Sequence, residues 1–413
     1  MSSSLITAKP EAVGLSSARI ARIQQHLDER YIRPGLIPCA LTLVHRRGET
    51  VHVSVQGQAD RERGRPLQDD ALFRIYSMTK PLTSIAFMML VEEGRVALDD
   101  PVSRFISGWA DLGVYAGEAD GAFQSQPPAR PMLMVDLLRH TSGLTYGFQQ
   151  RTSIDAVYRA KDIGAPGGKN TLDGMIADLA QLPLEFSPGE AWNYSVSTDV
   201  VGYLVGRISG QLFERFVQER ILDPLGMTDT AFHVAPGQEG RLPACYSADP
   251  KGELALQDDP ATSSYLEPPG FISGGGGLVS TAADYLTFCR MLIGGGAVDD
   301  QRLVSPKTLK LMTANHLPGG RDLSSMSRSL FSEATNEGVG FGLGFATTLS
   351  PVRTLLPGSV GDFYWGGAAG TYFWVDPAEE LIVVFMTQRL GTPQSLRRDL
   401  RTLVYSAFTE ANA

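Results

Sequence analysis

The sequence predicts an α+β fold: an antiparallel sheet flanked by helices (an α/β sandwich), with a second, mainly helical domain. Three observations carry that prediction. One strand–turn–strand pattern lies near the N-terminus and another near the C-terminus. Between them, helical segments alternate with loops rich in Gly and Pro. Tight hairpins pair their strands antiparallel, and the helices around them supply layers to cover the sheet.

Residues 16–30, SSARIARIQQHLDER, place Ile20, Ile23 and Leu27 on one stripe, which predicts an amphipathic helix. The run Ala40–Val44, the turn Arg46-Arg47-Gly48-Glu49 and the alternating Val51–Val55 form the first hairpin. Thr79–Glu93 has the length and apolar density of a buried helix, with Gly94 as its stop. Pro81 is tolerated only near a helix start, because deeper in it would remove a backbone bond. This helix must therefore begin close to Ser77. Over 100–270 the helical segments are Val135–Arg139, Leu172–Ala180, Thr198–Ser209 and Phe213–Ile221, and no strand alternation stands out. A helix over Thr281–Leu292 follows. The strands Gly370–Val375 and Leu381–Thr387 then flank the turn Asp376-Pro377-Ala378-Glu379, and a last helix covers 394–410. The sheet domain is then 1–99 with 271–413, and the helical domain is 100–270.

With 413 residues, 43% hydrophobic and 20% charged, the chain is an ordinary globular one. Its net charge of -9 without a basic stripe excludes a nucleic-acid partner. No run approaches the ~20 apolar residues that span a bilayer. The N-terminal MSSSLITAKPEAVG lacks the basic and apolar regions of a leader, so a cytoplasmic location is expected. Cys39, Cys245 and Cys289 form no C-x-x-C pair and read as thiols of a reducing compartment. The six histidines show no metal-ligand spacing, so neither metal nor cofactor is expected. No Gly-x-Ser-x-Gly elbow occurs. The Gly274–Gly277 run has no Lys and reads as a flexible or close-packed loop rather than a phosphate cradle.

Ser77-Met78-Thr79-Lys80 is a Ser-x-x-Lys. A serine hydroxyl needs a base to act as a nucleophile, and residues three apart on a helix face the same side. Alone, the tetrapeptide reads as a capping serine with a surface lysine. Here Lys80 opens an otherwise apolar helix, where a lysine either snorkels outward or is buried with a purpose. Tyr194, in Tyr194-Ser195-Val196, reads either as core packing beside Trp192 or as a proton acceptor. Its hydroxyl ordinarily titrates near ~10, and a buried ammonium beside it would favour the phenolate. Tyr364-Trp365-Gly366-Gly367-Ala368 reads as a glycine turn before a strand, or as backbone that approaches a substrate closely. In the second reading the N–H groups of Ala368 and Ser77 form an oxyanion hole. His140, in Leu138-Arg139-His140-Thr141-Ser142-Gly143-Leu144, is expected to hold a turn rather than act as a base.

Together, Ser77-Met78-Thr79-Lys80, Leu138–Leu144, Tyr194-Ser195-Val196 and Trp365-Gly366-Gly367 resemble the class C β-lactamase superfamily in order and spacing. The likeness covers about residues 10 to 410 and is nearer to the esterase branch, the family VIII carboxylesterases. It implies a β-lactamase-like fold with the active site between the two domains. It also implies Ser77 as nucleophile, Lys80 with Tyr194 as base, and Trp365, Gly366, Gly367 and Ala368 at the oxyanion and substrate-binding edge. Val196 stands where β-lactamases carry an Asn, and Trp365 where they carry the Lys of Lys-Thr-Gly. Both departures point to a neutral ester as the small-molecule substrate, with short acyl chains expected. β-Lactamase or D-Ala peptidase activity, acyl transfer to an alcohol and a catalytically inert relative are the rivals. Loops such as Tyr146–Arg151 and Ser264–Phe271 are expected to set pocket size.

Overall fold

The computed structural model describes residues 5–165, 170–328, 337–410 and 412, so the first four residues of the segment read above for a leader lie outside it. Helix α1 (Ser17–Leu27) starts where the Ser16 hydroxyl accepts from the Arg19 N–H, and it buries Ile20, Ile23 and Leu27. Strands β1 (Cys39–Arg46) and β2 (Glu49–Asp60) follow. Arg46 pairs with Glu49, and Arg47 and Gly48 between them both have positive φ, 51° and 82°. That is the backbone a two-residue hairpin turn requires. Strand β3 (Arg65–Pro66) ends this edge of the sheet.

Helix α2 (Thr79–Glu92) has Pro81 in its first turn, where the missing N–H costs no helical bond. Its side chains are buried on all sides from Thr79 to Leu90. Leu82, Ile85 and Phe87 are each 0% exposed, and burial of each stabilises the fold by roughly 1.5–3 kcal/mol. Helix α3 (Ser197–Ser209) packs along α2, and helix α4 (Ala282–Ile293) follows. The sheet is completed by β4 (Val339–Phe341), β5 (Ala346–Thr348), β6 (Phe363–Gly366), β7 (Tyr372–Asp376) and β8 (Leu381–Met386). The order is β4-β5-β6-β7-β8-β1-β2-β3 and every pair is antiparallel. Helix α5 (Ser395–Ser406) closes the chain.

The α+β sandwich is borne out. Phe373 and Trp374 are consecutive on β7, so they point to opposite faces of the sheet. Phe373 meets Tyr285 of α4 and Trp374 meets Tyr405 of α5, so each face carries a helix. That double cover explains why β1 and β8 are buried along their whole length.

Four strands of the sheet were not expected: β3 has two residues, β4, β5 and β6 have three or four, and Gly340 and Gly366 lie in β4 and β6. The segment read as a glycine turn is therefore partly strand, with Tyr364 opposite Trp374 and Gly366 opposite Tyr372. The stretch 100–270 also holds two small hairpins, Val114–Ala119 with Ala122–Gln126 and Cys245–Ala248 with Leu254–Asp258. The first is largely exposed, so it needs no apolar alternation.

Among the described residues no helix is long and apolar enough to cross a membrane, and no group of three His, Cys, Asp or Glu is placed to hold a metal ion. The three cysteines are buried and unpaired. Burial pushes His45 and His52 down to about 4. Their unfolded forms titrate near ~6.5. The unfolded chain thus binds more protons between those values, and stability falls as pH drops through that window. Urea titrations at pH 7 and pH 5 should show a loss on the order of a few kcal/mol, less in a His52→Gln variant.

Candidate active site

The turn before α2 presents Ser77. Tyr76 has φ 42°, a left-handed conformation that costs a bulky residue on the order of 1–3 kcal/mol. The strain is held by flanking bonds: Tyr285 Oη donates to the Met78 carbonyl at 2.9 Å, and Leu278 N–H donates to Thr79 Oγ1 at 3.2 Å. Ser77 is half-buried at the end of this turn. The capping alternative fails, because Met78 occupies the N-cap position without a side-chain bond. The surface-lysine alternative fails as well, since Lys80 is 1% exposed.

Lys80 Nζ donates to Ser77 Oγ at 3.3 Å, to Tyr146 Oη at 3.0 Å and to the Gly275 carbonyl at 2.7 Å. It also lies 4.6 Å from the centroid of the Tyr194 ring and 5.3 Å from that of Tyr146. Ser77, Lys80 and Tyr194 are therefore brought together. Tyr194 meets the ammonium with its ring, and its hydroxyl accepts from Trp365 Nε1 at 3.4 Å. Tyr146, whose hydroxyl accepts from Lys80, is a residue the sequence placed only in a pocket-sizing loop.

Trp365 is 1% exposed and packs on Tyr194 and Phe341. Gly367 must be glycine, because a Cβ there would stand 2.4 Å from the Ile75 carbonyl. This close approach fixes the end of β6 against the Ser77 turn. Gly367 N–H donates to Thr371 O at 2.8 Å and Gly370 N–H donates to Gly367 O at 3.0 Å. The resulting tight turn leaves Ala368 exposed beside the site.

Two features qualify the sequence reading. Trp365-Gly366-Gly367 carries no cation of its own, but Arg397 of α5 supplies one beneath it. A Cβ on Gly366 would lie 2.4 Å from Arg397 Nη2, which donates to the Gly367 and Thr371 carbonyls at 3.2 and 3.3 Å. The glycine run is close-packed rather than flexible: Gly274–Gly277 are buried, and a Cβ on Gly274 would stand 2.8 Å from the Thr198 carbonyl. Its Gly275 carbonyl is a direct ligand of the ammonium, a role that nothing in the local sequence marks.

His140 is buried with φ 58°, and its Nδ1 lies 3.2 Å from Ser195 Oγ. Ser195 in turn bonds Ser197, and Ser197 bonds Ser142, each at 2.7 Å. Burial first, then the Lys80 charge, holds the imidazole well below its ordinary range, so it is neutral at pH 7. It braces the turn against the Tyr194 segment, with its ring 4.9 Å from that of Tyr194. Val196 is 0% exposed and packs toward Gly164 and Tyr146.

A strained serine turn, a buried lysine one helical turn on and a sheet edge alongside have the form of a Ser-x-x-Lys serine hydrolase. The chain belongs to the beta-lactamase family, whose model matches residues 21–407. It is 38% identical to protein Rv1367c of Mycobacterium tuberculosis over 86% of each chain. It is 31% identical to esterase EstB of Burkholderia gladioli, over 96% of this chain and 98% of that one. Among solved structures it is similar to EstCE1, described as a hydrolase with promiscuous acyltransferase activity. That match has 26% identity and a TM-score of 0.78, and covers 94% of this chain and 99% of that one. The kinship with the esterase branch that the four motifs imply is borne out.

Proposed function

We propose that the protein is a serine carboxylesterase that hydrolyses short-chain acyl esters through an acyl-enzyme on Ser77. The observation that carries this reading is the buried Lys80, with Nζ 3.3 Å from Ser77 Oγ. Lys80 and Tyr194 form the base arrangement. The ammonium beside the Tyr194 ring and the Trp365 N–H on its hydroxyl both favour the phenolate. Tyr194 takes the Ser77 proton as Oγ attacks the ester carbonyl. The oxyanion is held by the N–H groups of Ser77 and Ala368. The alcohol leaves with a proton, water attacks the acyl group, and Ser77 is restored. Trp365, Gly366 and Gly367 line the substrate edge. Ser77, Lys80 and Trp365 come from 1–99 with 271–413, and Tyr194 from 100–270, which supports a two-domain division with the site between.

The ester preference rests on Val196, which offers no amide, on Trp365 in place of a lysine, and on the likeness to an esterase. A second reading, β-lactam or D-Ala peptide hydrolysis as a side activity, is favoured by one observation. Arg397 holds a guanidinium against the Gly366–Gly367 edge, and its Nε is buried with no hydrogen-bond partner among the described residues. Parallel assays with p-nitrophenyl butyrate and a chromogenic cephalosporin test both. Fast ester cleavage and slow cephalosporin cleavage are expected. Arg397→Ala should raise KM about tenfold for the carboxylate-bearing cephalosporin and leave the butyrate ester nearly untouched. A preference for the cephalosporin would overturn the esterase reading.

A further inference from the structure

Asp199 lies in the first turn of α3 and is 0% exposed. Its Oδ1 accepts from Ser273 Oγ at 2.5 Å and from Gly275 N–H at 3.0 Å. Its Oδ2 is buried with no hydrogen-bond partner among the described residues. A buried carboxylate oxygen left so is costly unless a nearby charge compensates it. The nearby charge is Lys80. A Cβ on Gly275 would stand 2.5 Å from Asp199 Oδ2 and 2.9 Å from Tyr146 Oη, so the two oxygens flank one α-carbon. The carbonyl of that same residue receives Lys80 Nζ. The loop that the carboxylate grips is therefore the loop that seats the ammonium.

We propose that Asp199 is a positioning residue for the Ser77 reaction: it holds the Ser273–Gly275 loop in place and acts as the buried counter-charge that keeps Lys80 an ammonium. The inference rests on Ser77 being the acylated nucleophile. Burial pushes the Asp199 carboxyl up and Lys80 pulls it back down, as a compensated pair requires. The other titratable groups around the ammonium are Tyr146 and Tyr194, with the neutral His140 behind Tyr194. On the neighbouring short helices, Asp136 is taken up by Arg130 and Arg139, and Arg215 pairs with Glu219 at the surface.

An anion at 199 makes the phenolate harder to form and so raises the pH at which the lysine–tyrosine cluster gives up its proton. Asp199→Asn keeps the shape and an acceptor for the two bonds but removes the charge. The acid limb of its kcat/KM profile on p-nitrophenyl butyrate should move down by about one pH unit. Ser273→Ala loosens the grip and keeps the charge, so kcat should fall several-fold with the limb unmoved. An acid limb that stays in place in a folded Asp199→Asn, or a Ser273→Ala enzyme with wild-type kcat, would overturn the proposal. Should Asp199→Asn not fold, the Ser273→Ala result decides. Fluorophosphonate labelling of Ser77 runs alongside. An unlabelled wild type defeats the esterase reading itself, whereas a labelled Ser77 with an unmoved limb defeats only the role of Asp199.

Discussion

Ser77→Ala is expected to remove ester hydrolysis by roughly five to six orders of magnitude while leaving the fold intact. The loss is that large because the other hydroxyls near the site, among the described residues, are buried or engaged. Thr79 Oγ1 is buried and bonded to Leu278 N–H. Ser84 and Ser273 are buried, and Ser273 is bonded to Asp199. The fold is spared because Ser77 is half-buried, caps no helix and receives its side-chain bond from Lys80. A melting curve close to wild type beside absent turnover is the expected pair of results. Turnover within tenfold of wild type would place the nucleophile elsewhere.

The second large effect belongs to Lys80. Lys80→Met keeps most of the buried volume and removes the charge. Activity should fall on the order of a thousandfold or more, through loss of the proton acceptor's support. Stability should respond as well, because the carbonyl of Gly275 and the hydroxyls of Ser77 and Tyr146 all lose a donor. Tyr194→Phe should cost about as much in kcat as Lys80→Met if it is the phenol that takes the proton. Tyr146→Phe removes a hydroxyl that accepts from the ammonium, so its cost should be nearer tenfold. A reversed order for the two tyrosines, read from kcat on p-nitrophenyl butyrate, would exchange their roles and leave Ser77 and Lys80 in theirs.

Much of this was legible because its determinants are local. Pro81 in an apolar run fixed where α2 starts, and with it the placement of Lys80 one turn from Ser77. Both long hairpins announce themselves by turn chemistry and strand composition, and β1 and β8 follow from them. What stayed hidden is what the fold brings from afar. Gly275 reaches Lys80 across 195 positions of sequence, and Tyr146 across 66. A glycine run looks the same in sequence whether it is loose or holds an ammonium. Arg397 lies on the last helix, far from the motifs in sequence, and only the missing side chain of Gly366 lets its guanidinium under the β6 edge. The strand β6 itself was hidden because Gly366 suggests a turn, while its partner β7 supplies the pairing. Asp199 resembles a first-turn acid, a common feature of helix starts, until its burial is known.

The central claim is an acyl group carried by Ser77, and trapping that group tests it most directly. Wild-type protein mixed with p-nitrophenyl butyrate, quenched in acid within the first turnovers and digested, should yield the peptide containing Ser77 heavier by one butyryl group. The same peptide from Ser77→Ala should be unmodified. A butyryl group on any other residue, or steady turnover with no acylated peptide at any quench time, would contradict the account.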